Sequence, residues 1–327
     1  MSRLRLAAIA VVAAIVISGP GVGAQDRLSI ATGGTGGVYF PYGGGMANLL
    51  SEHLDGVEVT AEETAASVDN MLLIESGDSD LAFVLGDTAF DAVQGNEPFE
   101  NPIPAVTLAT LYNNFTHIVT TDGSEIETVA DMRDKTVSVG APGSGTEVIA
   151  DRILEAAGLN PDEDIQREQL GAAESAAAVK DGRIDAYFWS GGLPTASVID
   201  LGATPNVDLK LIAHADVVTT LQETFGPFYS TGTIPGGTYP GQDEDVDVVV
   251  VPNVLVVHED FDEQLAYDIL TVIFEHQADL VAVHPAAEEL TLENATTNSP
   301  IPYHPGALRF FEEQGVPVGT PVATPAA

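Results

Sequence analysis

Two long β-rich runs, AVTLATLYNNFTHIVTTD at 105–122 and DVVVVPNVLVVHED at 247–260, constrain this chain more than any other feature. Each is far longer than the five or six residues of an ordinary strand. The first is interrupted by Asn113-Asn114, the second by Pro252, which we expect to mark a bend rather than a central strand. A complete alternation of strand and helix patterns lies between them. A chain that leaves one sheet along the first run and returns along the second builds two α/β lobes, one inserted in the other, with a cleft between. Strands alternating with helices predict parallel or mixed sheets and right-handed crossovers.

The same local logic appears once on each side of the first crossing. LSIATGGTGGVYFPYGGGMA at 28–47 reads as a short strand, a run of glycines with Thr35, then a helix. Val38, Tyr42, Met46, Leu49 and Leu50 form the apolar stripe of that helix. KTVSVGAPGSGTEVIADRILEAAGL at 135–159 repeats strand, Gly/Ser/Thr turn and amphipathic helix, with Gly158 at its end. In open α/β sheets ligands bind just beyond the carboxyl ends of the strands. Side chains this small leave backbone N–H groups uncovered at the positive end of a helix dipole, a seat for a carboxylate. The first turn does not fit G-x-G-x-x-G, so a dinucleotide is not expected.

Composition narrows the partners. The chain has 327 residues, no cysteine, and 11 Lys plus Arg against 49 Asp plus Glu, for a net charge of −38. Arg3 and Arg5, an apolar run from Leu6 to Ile17 and the exit Val22-Gly23-Ala24 read as a secretory signal over 1–24. An exported protein that does not insert in the membrane is expected once that signal is removed. So acidic a surface repels nucleic acid and anionic lipid, and neither is an expected partner. With so few cations, an anionic ligand must be held by backbone dipoles, hydroxyls and aromatic edges. Residues 318–327, GTPVATPAA preceded by Val318, are expected to be a disordered tail.

Other candidates are weighed from their surroundings. Tyr39 brings a ring and a phenol to the first turn, and Ser144 and Thr146 bring hydroxyls to the second. Ser144 as a nucleophile would make the chain an exported hydrolase, but Gly143-Ser144-Gly145 is not G-x-S-x-G and no triad histidine follows. FWSGGLPT at 188–195 ends a strand in Trp189, either a core aromatic or the cleft floor, with Gly191, Gly192 and Thr195 offering donors. Asp87 either holds a ligand ammonium at the cleft rim or caps the next helix. The scattered histidines make no metal constellation, so neither metal nor cofactor is expected. Locally, Ser67 is expected to cap a helix, Asp260 with Glu263 to cap another, and 229–246 to be irregular.

These pieces resemble the TAXI branch of the TRAP transporter solute receptors: TGGTGGVYFPYGG at 32–44, VSVGAPGSGTE at 137–147, DGRIDAYFWSGGLPT at 181–195, IPGGTYPGQDEDV at 234–246 and HPGALRFFEE at 304–313. The resemblance implies a periplasmic-binding-protein-like α/β fold of type II, two lobed, with two parallel or mixed sheets joined by crossing hinge strands. Lobe 1 would be 25–113 plus 250–317, and lobe 2 would be 114–249. It implies a non-enzymatic receptor that captures a small organic acid, often glutamate-like, an oxo-acid or a dicarboxylate, and passes it to a TRAP permease in the membrane. Thr35, Gly36, Gly37 and Tyr39 would then form one cleft wall, and Ser144, Gly145, Thr146, Gly191, Gly192 and Thr195 the other. The family commonly has Gln-Ser-Asp where this chain has Leu85, Gly86 and Asp87. A receptor for an ABC importer, or a sensory receptor domain, would share the same cleft.

Overall fold

A computed structural model describes residues 26–321; the expected signal segment and the last six residues lie outside the described residues. The chain begins with β1 (Asp26–Ala31), α1 (Tyr39–His53), β2 (Val57–Glu62), α2 (Ser67–Ser76), β3 (Leu81–Leu85) and α3 (Gly86–Gln94). β4 (Ala105–Thr121) then carries it out of the first lobe. The second lobe holds β5 (Thr136–Ser138), α4 (Gly145–Ala156), β6 (Gln166–Glu168), α5 (Ala172–Lys180), β7 (Ala186–Gly191), α6 (Ala196–Gly202), β8 (Leu209–Leu211), α7 (Val218–Phe225) and β9 (Ser230–Ile234). β10 (Val246–His258) returns to the first lobe, which is completed by α8 (Glu263–Glu275), α9 (Gln277–Val283), α10 (Leu292–Ala295) and α11 (Pro305–Glu313).

The strands run β2-β1-β3-β10-β4-β7-β5-β6 in one hydrogen-bonded path, with β8 beside β4 and β9 beside β10. What the sequence presents as two sheets is therefore continuous through the two long strands. β1 is parallel to β2 and β3, and β5 is parallel to β6 and β7, while β4 and β10 run antiparallel to their neighbours. The partners change partway along. β10 pairs with β9 over Val246–Val250 and with β3 over Asn253–Val256. β4 meets β7 only from Phe115 onward. The two interruptions face each other, Asn113 opposite Pro252 and Asn114 opposite Val251.

Pro252 thus sits inside a central strand, contrary to the expectation of a bend. It is tolerated because residues 251–252 lie in the gap between β9 and β3, where one edge of β10 has no partner strand. Asn113 is pinned there by Glu289, whose carboxylate accepts from its backbone N–H at 3.1 Å and its amide at 2.7 Å.

Each half-sheet is covered on both faces. The stripe Val38, Tyr42, Met46, Leu49 and Leu50 is buried with Phe83, Leu255, Ile269 and Phe311, and a second cluster around Met71, Val84 and Ile301 covers the opposite face. In the second lobe Ile149, Ile153, Phe188 and Leu221 pack on one face, and Tyr187, Val198 and Tyr239 on the other. β3 is buried along its whole length, as its unbroken apolar sequence requires.

Three local expectations are corrected. Ser67 is the first residue of α2 rather than its cap, and its hydroxyl accepts from the Leu85 N–H at 3.1 Å. α8 is capped by Asp262, which accepts from the Leu265 N–H at 2.8 Å, not by Asp260. Part of the Gly/Pro-rich stretch is a strand, β9, because Val246–Val250 supplies it with an edge to pair on.

Candidate functional site

The glycine turns that follow β1 and β5 end at the N-termini of α1 and α4, and both open into one space between the lobes, about 640 Å³ with the open solvent in front of it included. Gly33, Gly34, Gly37, Val38 and Tyr39 line it from the first lobe, and Gly140, Ala141, Ser144, Gly145 and Thr146 from the second. The first-turn N–H groups of either helix have no acceptor within that helix. α1 has no side-chain cap at all, whereas the Ser144 hydroxyl accepts from the Glu147 N–H at 3.1 Å. The two positive helix ends therefore converge on one volume from opposite lobes.

The lobes touch through the same turns. The Gly143 carbonyl accepts from the N–H groups of Val68 and Asp69, both at 3.1 Å, so a turn of the second lobe caps α2 of the first. Reciprocally, the Gly36 carbonyl accepts from the Ser197 N–H at 3.3 Å, at the start of α6. Two close approaches accompany these bonds. A Cβ on Gly37 would lie 2.6 Å from Trp189 Cη2, and one on Gly145 would lie 2.6 Å from Leu85 Cδ1 and 2.7 Å from Ser67 Oγ. Glycine at 37 and 145 is thus what lets the lobes meet.

A direct test follows. Alanine suits a helix, so Gly145→Ala leaves α4 intact, but its methyl wedges the lobes. Overpacking of this kind costs about 1–3 kcal/mol, and titration calorimetry should show ligand affinity weakened about tenfold or more. Unchanged affinity, with no increase in radius of gyration, would show that the contact carries no closure energy.

Of the residues singled out in the sequence, Gly37, Tyr39, Ser144, Gly145, Thr146, Trp189 and Gly191 line this space. The other five do not. Thr35 is exposed, and its N–H donates to Glu63 at 3.2 Å. Gly36 faces Ala173 and Ser197 across the lobe seam. Gly192 packs on Tyr112 and Ala286. Thr195 stands behind the wall: its hydroxyl accepts from the Trp189 indole N–H at 2.9 Å and donates to the Gly192 carbonyl at 3.0 Å. Its N–H donates to the Tyr239 hydroxyl at 3.1 Å, which bonds in turn to His117 Nε2 at 2.7 Å. Thr195 thus holds Trp189 from behind the wall of the space.

Asp87 does not face the rim either. It is fully buried in the seam, where it accepts from the Tyr229 hydroxyl at 3.0 Å and lies 3.7 Å from the Arg152 guanidinium. Burial pushes its carboxyl up, and Arg152 pulls it back.

Tyr39 keeps its ring on the wall while its hydroxyl is turned inward, accepting from the Asn253 amide at 2.5 Å. Burial first, then the charge of Asp87, raises this phenol above the ordinary range, so it stays neutral. Ser144, held as a helix cap with no histidine among the residues lining the space, is not set up as a nucleophile. Among the described residues no group of three or more His, Asp or Glu side chains is arranged to hold a metal ion.

Several lining residues escaped the sequence reading. Thr64–Ser67 follow β2, Leu85 ends β3, Leu170–Ala172 follow β6 and Ser190 lies in β7. The signal that finds them is the rule already applied to the glycine turns: the carboxyl ends of the parallel strands β1, β2, β3, β5, β6 and β7 border the cleft. Asn70 was missed for a different reason. From α2 its buried amide donates to the carbonyls of Thr32 at 2.7 Å and Phe83 at 2.8 Å, fixing the ends of β1 and β3 that carry the site.

Comparison with known proteins agrees with this architecture. A solved structure from Bordetella bronchiseptica RB50 superposes with a TM-score of 0.53 at 16% identity, covering 88% of this chain and 89% of that one. A binding protein component of an ABC phosphonate transporter from Pseudomonas aeruginosa gives 0.52 at 11% identity over 80% and 79%. A mutant of ArgBP from T. maritima gives 0.50 at 12% identity over 81% and 95%. At such identities the likeness is one of fold, the two-lobed periplasmic solute-binding fold. The family model described as NMT1-like matches residues 30–315, and the chain belongs to the NMT1-like family.

Proposed function

We propose that this chain is an exported receptor that closes its two lobes on a small organic acid and delivers it to an importer in the membrane. The observation that carries the reading is the convergence of the α1 and α4 N-termini on one interlobe space. Each such contact with a carboxylate is worth about 0.3–1 kcal/mol, up to ~2 when partly buried. A micromolar complex needs about 8 kcal/mol, so burial of the ligand body against Trp189, Leu85 and Tyr39 must supply the rest. The lobes divide at 113/114 and 249/250 in this reading, supported by the change of strand partners there. Closure presents a surface that the open form lacks, and the importer reads it. No catalytic step is involved, and no helix among the described residues is long and apolar enough to cross a membrane.

For the importer, an ABC type is the first reading, because a structural relative above is described as a component of one. The five collinear motifs favour a second, the TRAP permease of the TAXI branch. Uptake assays separate the two: dependence on ATP supports the first, and dependence on an ion gradient alone supports the second.

The receptor reading itself is tested by thermal melting with mono- and dicarboxylic acids. A ligand at 100 times its Kd adds about 2.7 kcal/mol, so the midpoint should rise by several degrees and track concentration. No shift with any small acid would count against it.

A further inference from the structure

The sequence offers Asp87 as the partner for a ligand ammonium, and the structure withdraws it. Its oxygens are taken by the Tyr229 hydroxyl, the Thr88 N–H at 2.8 Å and the Arg152 guanidinium, in a seam where it is fully buried. Among the described residues, those lining the interlobe space include no Asp, Glu, Lys or Arg. The two carboxylates that bond to the backbone of the turns are also engaged. Glu147 accepts from the Gly143 N–H at 3.0 Å and from Arg167 at 2.8 Å, and Glu63 accepts from the Thr35 N–H. The Trp189 indole N–H and the Tyr39 hydroxyl are turned to Thr195 and Asn253 rather than to the cavity.

From this geometry we infer that the cleft selects acids without an ammonium group, namely 2-oxo, 2-hydroxy or unsubstituted carboxylates, and rejects the corresponding amino acids. The inference rests on the reading of the cleft as a carboxylate seat. A carboxylate entering the space trades water for the amides of two helix ends. An ammonium on the same ligand sheds its water beside those two positive ends and meets no anionic side chain on the lining. Glu174, whose carboxylate lies against Gly171, is exposed and screened by solvent, so the burial of charge is poorly compensated. A 2-oxo or hydroxyl group carries no such charge and can accept from the Ser144 hydroxyl, which lines the space and spends only a lone pair on the Glu147 N–H.

Matched pairs test it on the mature chain by titration calorimetry: 4-methyl-2-oxopentanoate against leucine, and 2-oxoglutarate against glutamate. The expected result is binding by the oxo-acid of at least one pair, with its amino acid weaker by tenfold or more. An amino acid that binds as tightly as its oxo-acid, or tighter, overturns the inference while leaving the receptor reading in place. If no oxo, hydroxy or unsubstituted acid binds, and no amino acid either, the carboxylate seat is wrong and the inference falls with it.

Discussion

Arg152→Ala should lower the unfolding free energy by about 3–5 kcal/mol, the cost of leaving buried charges without their partner. The guanidinium lies in the seam between α3 and α4, 2.5 Å from Asp91 and 3.7 Å from Asp87, and it donates to the Tyr229 hydroxyl at 2.8 Å. That hydroxyl in turn donates a hydrogen bond to Asp87 at 3.0 Å, and the guanidinium rests on the Phe225 ring at 4.4 Å. Alanine removes every contact of the guanidinium and leaves without their cation two carboxylates that are 0% and 5% exposed. Burial already pushes both upward, and Arg152 is what opposes it. Urea unfolding followed by circular dichroism measures the loss. A second variant separates charge from packing: Arg152→Met with Asp87→Asn and Asp91→Asn should recover much of it, since a buried ion network is seldom better than neutral replacements. A loss under about 1 kcal/mol in Arg152→Ala would show the network to be idle.

The same network shows where the sequence stops being legible. The two crossings, the two glycine turns and the apolar stripe of α1 are local patterns, set by periodicity and by side chains too small to cover the backbone. Each survives folding because nothing remote needs to be known. Asp87 and Arg152 are 65 positions apart in a chain with 49 Asp plus Glu, and nothing local distinguishes Asp87 and Asp91, which are buried with that cation, from the acids that stay at the surface. Thr195 and Gly36 fail for a related reason. Both sit in motifs that border the cleft, yet Thr195 turns behind Trp189 and Gly36 spends its carbonyl on the opposite lobe. Ser67 illustrates competition: a hydroxyl suited to capping α2 is claimed by the Leu85 N–H, and the Gly143 carbonyl from the other lobe takes over at the helix start. Position along the chain places a residue near the site; only packing decides whether it faces in.

Acid should weaken the fold through His117 and His214. Burial drives both imidazoles from the ordinary 6.5 down to about 4. His117 donates from Nδ1 to the Phe115 carbonyl at 2.8 Å, which leaves Nε2 to accept from Tyr239. His214 donates from Nδ1 to the Ile212 carbonyl at 2.9 Å, and its Nε2 is buried with no partner. The folded state therefore holds neutral rings. The unfolded chain takes up protons as pH drops below 6.5 and the folded chain only near 4. Stability is thus fully present above 6.5 and falls through that window, by a total approaching about 3 kcal/mol per histidine. Relief of repulsion in so acidic a chain works in the opposite direction, so the informative quantity is a difference. The stability of the wild type minus that of His214→Leu should decline by about 1.4 kcal/mol per pH unit between 6.5 and 4. Protonation of His117 also removes the acceptor for Tyr239, loosening the Thr195 hold on Trp189, so ligand affinity should hold steady over most of that interval and decline only as pH approaches 4. A difference that stays flat with pH would mean that His214 titrates in the folded protein as freely as in the unfolded chain, and that its burial costs the folded state nothing.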